Sequence, residues 1–228
     1  MSVIQPVGYD EKPLVRNTLW MVDLGRYDEL VRVVLEHDGP VRLVGIDGYG
    51  AAGKTTFANR LARAANNAPV VHTDDFASHD VPMEWWPRML TDVIEPLRAG
   101  RPATYTAYDW VNRTDGPRIT IEPQPIVVIE GVGATRSAWR NRLAVSIWVD
   151  TPADERLRRS VKRDGEELAE FWKEWRVAED AYVAAEKPQE RVDVLVDGAA
   201  GRECDADNEF VILRATAAVR LPRHRELR

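Results

Sequence analysis

Cysteine is nearly missing: Cys204 is the only one in 228 residues. A single thiol excludes an intrachain disulfide and a zinc site built from thiolates, and it suits a reducing compartment. Lysine is scarce too, 5 residues against 26 arginines, a bias that genome composition alone can produce. No apolar run approaches membrane-spanning length, and the start MSVIQPVGYDEKP lacks the basic-then-apolar order of a signal peptide. The expectation is therefore a soluble cytoplasmic protein without a membrane partner. Surplus positive charge is also absent: 37 acidic against 31 basic side chains leave a net charge of −6, so no global field draws in nucleic acid. Repeats and low-complexity tracts are missing as well. The 44% hydrophobic and 30% charged content is enough for one α/β domain with a full core.

The most informative stretch is 41–56, VRLVGIDGYGAAGKTT. Gly48, Gly53, Lys54 and Thr55 spell G-x-x-x-x-G-K-T, the pattern of a phosphate-binding loop. Val41 to Ile46 has the length and apolar character of a buried strand, and Phe57, Leu61 and Ala64 have helical spacing. Strand, loop and helix thus follow in the required order. Backbone N–H groups must turn inward to cradle a phosphate, which needs small residues free to take positive φ. Gly48, Gly50, Ala51, Ala52 and Gly53 meet that need, and with Lys54, Thr55 and Thr56 they form the expected nucleotide-binding set. Lys54 can reach the β- and γ-phosphates, and the Thr55 hydroxyl can take a place on Mg²⁺. A glycine-rich turn matching the pattern by chance is the competing account.

Two more strands end in acids. PVVHTDD at 69–75 closes on Asp74 and Asp75, and in open α/β sheets the carboxyl ends of the strands line the ligand crevice. Asp74 is the expected general base, orienting and deprotonating an acceptor hydroxyl; helix capping is the alternative for either Asp. IVVIE at 126–130 is an apolar strand ending in Glu130, the expected metal-side acid beside Thr55.

The rest of the chain supplies walls. Before the loop, 28–37 reads as a packing helix ended by Gly39 and Pro40. ATYTAYDW at 103–110 and RITIE at 118–122 alternate as strands, with TDGP at 114–117 as the turn between them. The inner end of this hairpin gathers Tyr108, Trp110 and Arg113, a mixture of aromatic faces and polar groups suited to a planar heterocycle and a sugar. A plain surface hairpin is the bland reading. Downstream, Arg156, Arg159 and Arg163 share one helical face, an arginine clamp for charge on transferred phosphoryl oxygens unless they pair with nearby glutamates. From 166 to 187 a long amphipathic helix carries Leu168, Phe171, Trp172, Trp175 and Tyr182 in a stripe expected to be core.

GIDGYGAAGKTT, HTDDF, YDWVNR, VVIEG and RLRRSVKRD, in that order, resemble the uridine kinase family of P-loop nucleoside kinases over about 41–197. The resemblance implies phosphorylation of a nucleoside 5′-hydroxyl by ATP or another NTP with Mg²⁺. It also implies Asp74 as base, Tyr108 and Arg113 in the base-recognising hairpin, Glu130 as strand-end acid, and Arg159 and Arg163 as lid arginines. Where the family's uridine and cytidine kinases carry a hairpin histidine, this chain has Arg113.

The expected fold is a three-layer α/β P-loop NTPase: a central parallel five-stranded sheet, helices on both faces, a protruding β-hairpin and a helical lid. The expected divisions are an N-terminal extension at 1–40, a kinase domain at 41–200 and a C-terminal hairpin or tail at 201–228. The expected activity is ATP- and Mg²⁺-dependent phosphoryl transfer to a hydroxyl of a nucleoside-like small molecule, with a homo-oligomer left open. The alternatives are an NTP-binding switch protein and a kinase of another metabolite such as a vitamin or sugar.

Overall fold

The computed structural model describes residues 21–199, 204–222 and 224–227. Residues 1–20 of the expected N-terminal extension, and 200–203, 223 and 228 near the other end, lie outside the described residues.

Two apolar strands, β2 (Arg42–Asp47) and β6 (Ile126–Glu130), lie side by side at the centre. Their side chains alternate between two cores, as strand geometry requires. Val44, Ile46, Ile126 and Val128 pack with the helices α1 (Tyr27–Leu35) and α2 (Lys54–Ala64) on one face. Leu43, Val127 and Ile129 pack on the other face. There they meet α3 (Trp86–Met89), a π turn (Leu90–Ile94), α4 (Glu95–Arg98) and β4 (Ala103–Asp109). Burial on both faces explains why these strands read as continuous apolar runs. β3 (Val70–His72) joins β6, β7 (Val145–Asp150) joins β2, and β8 (Val194–Asp197) joins β7, all parallel. This is the five-stranded parallel sheet read from the sequence.

The sheet does not stop there. β9 (Glu209–Ala215) runs antiparallel to β8, β1 (Met21–Arg26) antiparallel to β9, and β10 (His224–Leu227) antiparallel to β1. The order is β10-β1-β9-β8-β7-β2-β6-β3, eight strands in one sheet. Among the described residues β9 and β10 do not form a hairpin with each other, because β1 lies between them and takes the ladder bonds of both. The segment before the phosphate loop therefore contributes a strand as well as the packing helix α1.

β4 pairs with β5 (Thr114–Ile121) in a separate two-stranded hairpin. Its turn falls earlier than TDGP, which lies inside β5. The Asp109 carboxylate accepts hydrogen bonds from Val111 N (2.9 Å), Asn112 N (2.9 Å) and Asn112 Nδ2 (2.8 Å), and Arg113 N donates to Asp109 O (2.8 Å). A side chain that satisfies the backbone in this way fixes the bend at 109–113. After β7 come α5 (Ala153–Asp164), a 3₁₀ turn at Glu166–Leu168, α6 (Ala169–Glu186) and α7 (Pro188–Arg191). Among the described residues, no helix is long and apolar enough to cross a membrane.

Candidate active site

β2 ends at Asp47 and the chain turns at once. Gly48 has φ +149, and a Cβ there would lie 2.6 Å from Val149 O, so a side chain would push the loop off β7. Gly53, at φ +101, stands at the N-cap of α2. The first amides of α2 and its positive dipole end therefore face the loop, the geometry that binds anions. Lys54 is 9% exposed and its Nζ donates to Tyr49 O (2.8 Å). Thr55 Oγ1 donates to Glu130 Oε1 (3.1 Å), bringing the end of β6 against the start of α2.

The same Glu130 oxygen lies 2.6 Å from His72 Nδ1 at the end of β3. That bond raises the pKa of His72, against the opposing pull of burial. Next comes a 3₁₀ turn, Thr73–Asp75, which separates the two candidate bases. Asp75 accepts a hydrogen bond from Tyr105 OH (2.9 Å), while Asp74 lines the cleft. The cleft walls surround Asp74 although its side chain still reaches solvent through the opening. Their enclosure pushes its pKa up, and nearby Lys54 pulls it down.

Lys54, Thr55, Asp74 and Glu130 share one cleft of about 660 Å³. Gly50, Ala51, Gly53, Lys54, Thr55 and Thr56 form its floor; Asp74, Trp110 and Glu130 line it from the sheet and hairpin; Arg159 and Arg163 line it from α5. A second chamber of about 400 Å³, lined by Tyr27, Phe57, Arg60 and Gly198, shares Gly53, Thr56 and Arg159 with the cleft. Arg159 ties the lid helix to the loop. Its Nε donates to Glu155 Oε1 (2.7 Å), its Nη1 to Ala52 O (3.3 Å) and its Nη2 to Gly198 O (3.0 Å). Arg163 makes a two-pronged contact with Asp164 (2.7 and 2.8 Å) and covers the Trp172 ring at 5.3 Å.

Five expected residues stand outside the lining. Arg156 is turned from the other two clamp arginines: its Nε donates to Thr151 O (3.1 Å) and its guanidinium lies over the Tyr49 ring at 4.1 Å. Gly48 and the buried Ala52 shape the loop from behind. Tyr108 OH is bonded to His79 Nδ1 (3.0 Å), in the hairpin beside Trp110. Arg113 occupies the left-handed position of the hairpin turn, φ 55, with its side chain exposed and away from the cleft. The earlier turn is the reason: Asp109 folds the chain back before Arg113 can extend along the strand.

Sequence reasoning missed three features. Asp47 is fully buried and accepts five hydrogen bonds: from Gly48 N (2.8 Å), Gly133 N (3.0 Å), Thr135 N (2.9 Å), Thr135 Oγ1 (2.8 Å) and Tyr182 OH (2.6 Å). It joins the phosphate loop, the turn after β6 and α6. The tryptophan stripe of α6, expected in the core, is only half-buried, and Trp172 and Trp175 face the cleft, the latter 5.4 Å from Trp110. Glu179, on the same stripe, is 2% exposed and accepts from Gly50 N at 3.2 Å with both oxygens. The readable signal was spacing: Trp172, Trp175, Glu179 and Tyr182 recur every three or four residues, so an acid sits within an aromatic stripe.

The profile of the family described as AAA domain matches residues 44–181. A uridine kinase of Klebsiella pneumoniae is 30% identical over 144 residues, covering 54% of this chain and 68% of that protein. A uridine kinase of Halobacterium salinarum is 28% identical over 168 residues, covering 65% of this chain and 72% of that protein. The structure of a possible uridine kinase from Bacillus stearothermophilus superposes with a TM-score of 0.54 at 25% identity, over 74% of this chain and 96% of that one. A phosphate loop on the first strand of a parallel sheet, an acid ending the neighbouring strand, and these likenesses have one meaning: the chain belongs to the uridine kinase-like P-loop kinase family.

Proposed function

We propose that the protein is an ATP- and Mg²⁺-dependent kinase that transfers the γ-phosphoryl group to a hydroxyl of a nucleoside. The observation that carries this reading is the placement of Asp74 opposite Lys54 in one cleft, with Trp110 and Trp175 beside them. A phosphate-binding floor, a carboxylate within the same space and aromatic walls suit transfer to a hydroxyl carried by a planar heterocycle and sugar. The named activity of the uridine kinases it resembles supports the same choice.

In this mechanism the loop amides and Lys54 hold the donor's phosphates, and Arg159 and Arg163, which line the cleft while paired with Glu155 and Asp164, turn from those partners to meet charge on the transferred group's oxygens. Asp74 orients the acceptor hydroxyl and takes its proton as the new oxygen–phosphorus bond forms and the bond to the ADP oxygen breaks. The oxygens of Thr55 and Glu130, 3.1 Å apart, suit a hard cation. Thr55 and Glu130 would hold that ion, whose contribution is neutralising phosphate charge. The second chamber, reached past Gly53 and Thr56, is assigned to the donor's base.

The test is ADP release with ATP and Mg²⁺ across a panel of nucleosides, sugars and vitamins. A nucleoside that raises ADP production well above the acceptor-free rate supports the reading. A sugar or vitamin doing so instead would reassign the acceptor. Stimulation by a protein partner alone would replace the kinase with a nucleotide switch.

A further inference from the structure

Glu179 has no place in the mechanism above, yet it touches the phosphate loop. It projects from the middle of α6, 2% exposed, and places both carboxylate oxygens 3.2 Å from Gly50 N. The approach depends on glycine: a Cβ at Gly50 would lie 3.0 Å from Glu179 Oε1. Three charged groups act on it. Burial pushes its pKa above the ordinary carboxylate value, Lys54, the Gly50 amide and Arg156 pull it back toward the anion, and Asp74 adds to the rise. Lys54 itself donates to Tyr49 O, and Arg156 lies over the Tyr49 ring at 4.1 Å, so neither cation is spent on a direct bond to Glu179. An anion held by a loop amide, within the field of the loop lysine, stands where phosphate oxygens are bound.

We propose that Glu179 is a positioning residue that holds the Gly50 amide as a resident anion and yields it to the terminal phosphate of the donor. This rests on the reading that the loop binds a nucleoside triphosphate. Two anions do not share one amide, so triphosphate binding requires the carboxylate to leave. Apparent donor affinity is then reduced by the fraction of molecules in which Glu179 occupies the loop. The displacement also reaches the acceptor side. Trp172 and Trp175 precede Glu179 on the same face of α6 and line the same cleft, so the helix that gives up Gly50 carries part of the acceptor wall with it. Donor occupancy is coupled to the shape of the acceptor pocket through one helix.

The experiment is calorimetric titration of Mg–ATP and of inorganic tripolyphosphate into the wild-type protein, Glu179→Gln, Glu179→Ala and Tyr182→Phe, each checked for folding by circular dichroism. Glutamine keeps the shape and a neutral acceptor but removes the charge. Both Glu179 variants should bind both ligands about tenfold more tightly, within the usual range of coupling between sites. In turnover, Glu179→Gln should lower the donor KM without raising kcat. Tyr182→Phe removes the neighbouring anchor to Asp47 and leaves the charge in place, so its affinity should match the wild type. Equal or weaker binding by Glu179→Gln overturns the proposal and leaves the kinase reading standing. Equal tightening by Tyr182→Phe also overturns it, since a loosened helix would then be the cause. If no folded variant binds either ligand, both the proposal and the reading beneath it fail.

Discussion

The two sides of the cleft are built differently. The part of the proposed donor side that would hold the phosphates is one contiguous segment, 48–56, which works mainly through backbone amides and the end of a helix. The proposed acceptor side is assembled from side chains far apart in sequence: Asp74 after β3, Trp110 in the hairpin, Trp172 and Trp175 on α6. Phosphates carry the same charge and shape in every nucleotide, so a local backbone device suffices for them. An acceptor is recognised by its particular outline, which only a tertiary arrangement can complement.

If that contrast is right, changes on the donor side should abolish transfer for every acceptor, and changes on the other side should act on one substrate at a time. The largest effect is expected from Lys54→Ala, a loss of about 10³-fold in ADP release with any acceptor; a retained rate would remove Lys54 from the mechanism. Asp47→Ala should come next, though in stability. It strips the acceptor from two buried amides and two hydroxyls beyond the loop itself, and should cost about 3 kcal/mol in urea unfolding.

Asp74→Asn should lower kcat by about 10²-fold or more while leaving donor binding intact. The pH profile sharpens this. Only deprotonated Asp74 accepts a proton, and its pKa is raised above 3.8, so kcat/KM should climb with pH along an acid limb lying above that value. In the Asn variant that limb should vanish; its persistence would assign the titration elsewhere. Trp175→Ala should raise the acceptor KM about tenfold with the donor KM unchanged. A matched rise in both would blur the division between the two walls. Arg113→Ala should change turnover less than about twofold, the size expected of an exposed turn residue. A strong effect would bring the hairpin turn back into acceptor recognition.

What could be read early follows the same division. The loop was legible because its requirements are local: glycines where φ is positive, a lysine and a threonine at fixed offsets, a strand before and a helix after. Glu130 and Asp74 were legible because strand ends in a parallel sheet point to one edge. Arg113 was misplaced because TDGP looks like a turn by composition, whereas the Asp109 carboxylate closes the turn sooner. The α6 stripe reads as core because helical periodicity reports a buried or half-buried face without telling which neighbour covers it, and the expectation holds for Tyr182, which is buried in a core cluster. Trp172 and Trp175 turn out to face an opening.

Residues within a few positions of one another suffice to specify the phosphate loop, the apolar strands beside it and the acids at their ends. Long-range packing, by contrast, sets the insertion of β1 between β9 and β10, the five donors gathered by Asp47, and the reach of Glu179 to Gly50 across 129 positions of chain. Such contacts are set by how helices and strands pack. Packing is a property of whole surfaces brought together, and no short window of sequence contains it.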